Sequence, residues 1–144
     1  MAEPITIPAH AFILRFVAEP ETIDELGHVN NAVWVQWIQA VATAHWAAKA
    51  SDVEQAAYIW VVVRHEIDYH RPLGLEQSVT AHSWVAHAAQ GAKFDRHIVF
   101  VGDDGKRHVT ALTTWALVDK ASGRPQRVPT AMVATFAPPP PDRR

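Results

Sequence analysis

From residue 31 to residue 50, apolar side chains recur with the period of an α-helix. Trp34, Ile38, Val41, His45 and Ala48 follow one another at intervals of three or four, with Val33, Trp37 and Ala44 beside them. The stripe predicts a helix over about 31–50, roughly 30 Å long at the usual rise, with Asn30 or Asn31 as N-cap. Elsewhere the period is two. "HAFILRFVA" at 10–18 predicts a first strand. In "YIWVVVRHEIDYH", strict alternation puts Ile59, Val61, Val63, Ile67 and Tyr69 on one face and Arg64, Glu66, Asp68 and His70 on the other. "RPLG" ends that strand, "SVTAHSWVAHA" and "KFDRHIVFV" predict two more, "GDDG" marks a hairpin, and "KRHVTALTTWALVD" predicts a last long strand that stops at "KASGRP".

The predicted order is a strand, a long helix, then four strands in the manner of an antiparallel meander. That is an α+β pattern. One helix cannot cover both faces of such a sheet. The simplest packing wraps the sheet around the helix and leaves an edge or a face for a partner subunit.

Composition narrows the functions this layout can serve. The chain has 144 residues, 49% hydrophobic and 19% charged, which fits one globular domain with a real core. The net charge of −2, without a basic run, gives no pull toward nucleic acid or a membrane surface. Cysteine is absent, which excludes disulfides, thiolate zinc sites and a cysteine nucleophile. No stretch reaches the ~18 apolar residues of a membrane span, and "MAEPITIPAH" lacks the layout of a signal peptide. The expectation is a cytoplasmic protein whose proline-rich end, "APPPPDRR", is extended or disordered. The nine histidines show no ligand spacing of the H-x-x-x-H kind. Glu66, Asp68 and His70 share a predicted strand face, which more often means a polar surface than a metal site.

The chemistry of interest lies in "ETIDELGHVNNAVWVQW", where a polar turn runs into the helix. A helix start is electropositive and offers free backbone N–H groups. Asp24, just ahead of it, is either a turn or cap residue or half of a catalytic site. Gly27 permits a tight turn, and Asn30 and Asn31 suit capping. Residues 31–49 contain no Asp or Glu, so the helix itself offers no carboxylate.

"DELGHVNNAVWVQW" resembles the D-x-x-G-H-x-N-N-x-x-Y segment of hotdog-fold acyl-CoA thioesterases, the relatives of 4-hydroxybenzoyl-CoA thioesterase and of the plant acyl-carrier-protein thioesterases. "HEIDYHRPLGLEQSVTAHSWV" is similar to the family's second and third strands. "GKRHVTALTTWALVDKASGRPQRVP" is similar to its last strands. The resemblance spans about residues 10–137 and implies a hotdog fold, a curved antiparallel five-stranded sheet wrapped around one long central helix. It implies a single hotdog domain over 1–137, followed by a tail at 138–144.

The resemblance further implies hydrolysis of an acyl thioester of coenzyme A or acyl carrier protein, without metal or cofactor, in a homodimer or dimer of dimers with the site at the subunit interface. Carried over by position, Asp24 matches the catalytic carboxylate, as base or nucleophile. Asn31 matches the residue whose backbone N–H meets the thioester carbonyl, and His28 the histidine of the G-H-x-N-N subgroup. Trp34 stands where the family usually has tyrosine and is a candidate for the acyl pocket, as is Trp37. Leu26 stands where the plant enzymes carry a functional asparagine. Arg64, Lys93, Arg96, Lys106 and Arg107 are candidates for the coenzyme phosphates, against the commoner reading of each as solvated surface. Two other functions compete. A hotdog hydratase or dehydratase also pairs Asp with His, but its D-x-N-P-x-H segment is missing here. A non-catalytic acyl-CoA-binding module would bind without turnover.

Overall fold

A computed structural model describes residues 5–137; residues 1–4 and the expected proline-rich tail at 138–144 lie outside them. The long helix, α1, runs Asn31–Lys49. It starts where the Asn30 side chain accepts a hydrogen bond from the Ala32 N–H at 2.8 Å, and it carries Lys49 in its last turn, where a cation suits the helix dipole. Ser51 then opens a short second helix, α2 (Asp52–Ala57), through a capping box with Glu54. The strands are β1 (Phe12–Val17), β2 (Tyr58–Tyr69), β3 (Ser78–Val85), β4 (Lys93–Gly102) and β5 (Arg107–Asp119), and a last helix, α3, spans Thr130–Phe136. α2 and α3 were not expected from the periodicity, because each is shorter than two full turns of helical repeat.

All five strands join one antiparallel sheet in the order β1-β3-β4-β5-β2. This is the α+β layout expected of a sheet around one long helix, with one correction. Only β3, β4 and β5 form a meander; β2 pairs with β5 at the far edge instead of with β3. The reason is the link after β2, which is sewn to the loop ahead of α1 instead of turning back as a hairpin. The Val29 N–H donates to Leu73 O (2.8 Å), Glu76 N–H to Ala18 O (2.8 Å) and Ala18 N–H to Gln77 O (2.9 Å). "GDDG" does form the β4–β5 turn, with Gly105 at φ +81°.

The facing of β2 also departs from strict alternation. Its register against β5 shifts between Val62 and Arg64, a bulge that adds one residue and reverses the parity. Tyr58, Trp60 and Val62 therefore point inward together with His65, Ile67 and Tyr69. Ile59, Val61 and Val63 share the outer face with Arg64, Glu66 and Asp68. The three aliphatic residues are about half exposed, at 50%, 46% and 50%.

The inner face packs in two clusters. Trp34, Ile38 and Val41 of α1 meet Val79, Ala81, Ile98, Phe100 and Val109. Phe94, Leu117, Met132 and Phe136 form a second cluster with Trp46 and Trp60, and here α3 closes the end of the sheet. Among the described residues no helix is long and apolar enough to cross a membrane. Trp34 is 2% exposed and packs edge-on against both Trp37 and Phe100. Trp34→Ala is expected to cost ~3–5 kcal/mol in urea unfolding, the usual range for emptying a core aromatic site; a loss well under 1 kcal/mol would contradict this packing.

Candidate functional site

Asp24 sits in a turn that closes on itself. Its Oδ1 accepts from the Leu26 N–H at 2.9 Å and, at longer range, from the His28 N–H at 3.4 Å. Its own N–H donates to His28 O (2.8 Å), and the Gly27 N–H to Asp24 O (3.0 Å). Gly27 takes φ +80°, where a side chain would be strained. One carboxylate oxygen thus holds the turn, while Oδ2 takes no donor among the described residues. Asn30 supplies the cap, so Asn31 is the first helical residue, exposed, and its backbone N–H meets no acceptor among the described residues. The Tyr69 hydroxyl donates to Asn31 O at 3.3 Å. His28 is exposed and bridges Gly74 through the backbone. Asp24, His28 and Asn31 therefore share one loop-to-helix corner.

The other candidates do not converge there. Trp34 belongs to the core and does not line either of two cavities found beside the sheet. Arg64 is exposed on the outer face and paired with Glu66 at 2.7 Å. Lys93 is exposed at the first position of β4. Arg96 is buried, 7% exposed. Glu66, Asp68 and His70 are drawn to different partners: Glu66 to Arg64, His70 to Thr110 at 2.9 Å. One cavity, of about 460 Å³, lies beside Glu66, Asp68 and His97. Among the described residues no group of three His, Cys, Asp or Glu is arranged to hold a metal.

The other cavity, of about 430 Å³, opens between the second half of α1 and the inner face of the sheet. Thr43 and Trp46 of α1, Tyr58 and Trp60 of β2, Arg96 of β4 and Trp115 of β5 line it. None of residues 24–31 does. From Asn31 to Thr43 is roughly 18 Å along the helix, so within one protomer the carboxylate and this cavity are apart. At its wall, Arg96 Nη1 donates to Ser83 Oγ (2.7 Å) and to His45 Nδ1 (2.9 Å). His45 also stacks on Phe12, with centroids 4.7 Å apart. Burial, then the Arg96 charge, pushes His45 down to about 3, and burial lowers Arg96 to about 10. At neutral pH the imidazole is thus neutral and the guanidinium charged.

This network was missed from sequence, although a signal existed. Arg96 shares strand parity with Phe94, Ile98 and Phe100, all of which point inward.

The family model of the thioesterase-like superfamily matches residues 18–136. No curated protein matches the sequence. Among solved structures, a thioesterase from Thermus thermophilus complexed with coenzyme A and Zn is 23% identical, with 86% of this chain and 90% of that one covered at a TM-score of 0.74. A Staphylococcus aureus protein in complex with CoA is 14% identical, with 93% and 85% covered at 0.78. An acyl-ACP thioesterase from Bacteroides thetaiotaomicron is 21% identical, with 92% of this chain but 56% of that one covered, at 0.77. At these identities the likeness is one of fold.

The His45 environment makes stability depend on pH. Its folded pKa lies below its ordinary value of 6.5. Between the two, the unfolded chain binds a proton that the folded chain does not. Stability should therefore fall as pH drops below about 6.5, by at most ~1.4 kcal/mol per pH unit from this group. His45→Gln should lose less stability than the parent between neutral pH and about pH 5. Parallel losses in the two proteins would show that His45 is not held neutral.

Proposed function

The chain belongs to the thioesterase-like superfamily, and from that premise we propose that it hydrolyses an acyl thioester of coenzyme A to the free acid and the thiol. One observation carries the assignment of the chemistry. Among the described residues, Asp24 has one oxygen tied into its turn and the other free, ahead of a helix whose first N–H is also free. Thioester hydrolysis needs a base or nucleophile at the carbonyl carbon and a donor for the oxygen that becomes negative. The free Asp24 oxygen takes a proton from water as the water oxygen bonds to that carbon. The Asn31 N–H and the ~0.5 e positive end of α1 stabilise the oxyanion. When the carbon–sulfur bond breaks, the proton passes from Asp24 to the departing thiolate. A direct attack by Asp24 through an anhydride uses the same groups, and ¹⁸O entering Asp24 in a single turnover distinguishes it. His28, whose backbone N–H meets the Asp24 carboxylate, positions that group.

The acyl group needs a pocket, and the aromatic cavity stands away from Asp24 of its own protomer. A homodimer resolves this separation. β2 is an edge strand of twelve residues whose first half carries exposed Ile59, Val61 and Val63, a long edge of the kind that pairs with another chain. Antiparallel pairing of β2 with its copy about the strand's midpoint sets Tyr58 beside the partner's Tyr69. Tyr69 touches the start of α1, and Tyr58 and Trp60 line the cavity. Each carboxylate is thereby brought toward the cavity of the other protomer. Arg64 and Lys93 remain the exposed candidates for the coenzyme phosphates, so affinity for the thioester should weaken as salt rises.

Asp24→Asn should lower kcat by about 10²–10⁴, the usual worth of a general base, with circular dichroism and melting unchanged; hydrolysis near the parent rate would remove Asp24 from the mechanism. Val61→Lys combined with Val63→Lys should give a monomer by light scattering and abolish turnover. A fully active monomer would refute the shared site.

A further inference from the structure

Arg96 is a buried cation without a counter-anion. Its Nη1 is satisfied by Ser83 and His45, both neutral, and among the described residues no carboxylate pairs with it. Among the described residues no Asp or Glu lines the cavity it borders; a second cation, Lys120, does, with its Nζ donating to Gln55 O at 2.7 Å. Burying a charge in that condition is destabilising, and an opposite charge that arrives relieves it. Nε and Nη2 of Arg96 take no protein acceptor among the described residues, which leaves one edge of the guanidinium available for a bidentate carboxylate. The free edge of Arg96 thus borders a space walled by Trp46, Trp60, Phe94 and Trp115, with Thr43, Tyr58 and Lys120 also lining it. About 430 Å³ is room for a small aromatic or medium-length aliphatic group.

We propose that this cavity binds the acyl portion of the substrate through a carboxylate at its far end, held by Arg96. The inference deepens the thioesterase reading and rests on it for the word substrate. It names the class as thioesters of dicarboxylic acids, with an apolar segment between the two carbonyl carbons. The aromatic walls desolvate that segment, and the buried Arg96 sets where its charged end sits. A neutral acyl chain of equal length would leave Arg96 unpaired, so the site discriminates by what it leaves unsatisfied.

Adipyl-CoA and hexanoyl-CoA share a six-carbon chain and differ at its end. Their binding is measured by quenching of tryptophan fluorescence, since three tryptophans line the cavity. Use of the Asp24→Asn chain keeps the thioester intact. Adipyl-CoA should bind on the order of tenfold to a hundredfold more tightly. Arg96→Met should collapse that ratio toward unity, and Arg96→Lys should retain part of it. Equal affinities in the Asp24→Asn chain overturn the proposal even if Arg96→Met fails to fold. So does a preference that survives Arg96→Met in a folded protein. Free hexanoic acid binding as tightly as adipyl-CoA also overturns it, because the site would then read a free acid and not the end of an acyl group. Turnover by the parent chain is scored separately. Hydrolysis without the preference defeats this inference alone, and the preference without hydrolysis defeats the thioesterase reading alone.

Discussion

The Val29 N–H donates to Leu73 O at 2.8 Å, and the Asn30 N–H to Thr22 O at 2.9 Å. These two backbone bonds fix where α1 begins. The first ties the helix start to the link that follows β2, and the second ties it to the short turn after β1. With both made, Asn30 has no choice but to cap, and Asn31 becomes the first residue with an unsatisfied N–H. The Asp24 turn hangs from the same stitching, bracketed by the bridge between Ile23 and Val29. The link that makes this seam also carries the chain away from β2, so the strand that would have been a meander neighbour becomes an edge. The corner with the proposed chemistry and the edge with the proposed partner thus have one origin.

The opposite end of the molecule obeys a different constraint. There α1 lies over a sheet whose inward row reads Phe94, Arg96, Ile98, Phe100. Three apolar positions can be packed by the helix and its neighbours; the fourth is a guanidinium that cannot be neutralised at ordinary pH. His45 and Ser83 satisfy part of it, and His45 does so as an uncharged acceptor because burial denies it a proton. What remains is positive charge beside an aromatic space. A fold organised only for stability would place an aliphatic residue there. An anion entering the cavity would complete the pairing of Arg96, which is why its proposed role is binding.

Much of this was legible in the sequence, and the exceptions have physical causes. The period of α1 was clear because a buried helix packed against one concave sheet must keep a continuous apolar stripe. The five strands were clear because each has one buried face. The outward turn of Ile59, Val61 and Val63 was hidden, since a single inserted residue reverses parity without altering composition. The placement of β2 beside β5 was hidden because it depends on hydrogen bonds between residues more than forty positions apart in the chain, such as Val29 with Leu73. Asp24, His28 and Asn31 were visible as a motif, yet the use of one Asp24 oxygen and the freedom of the other required coordinates. Arg96 was noticed as a basic residue and assigned to the coenzyme phosphates. Its inward parity was available in the alternation of its own strand, but a charge reads as surface until its neighbours are counted.

The central claim is that the carboxylate of one protomer serves the cavity of the other, and subunit complementation tests it most directly. One chain carries Asp24→Asn with its cavity intact. The second keeps Asp24 but has the cavity plugged by Thr43→Trp, a substitution at an exposed position of the cavity rim. Each homodimer lacks a complete site. On random reassortment half the dimers are mixed, and each mixed dimer holds one intact site of two, so activity should return to about a quarter of the parent value. Mixed dimers that stay as inactive as either homodimer would contradict the claim and place each site within a single chain.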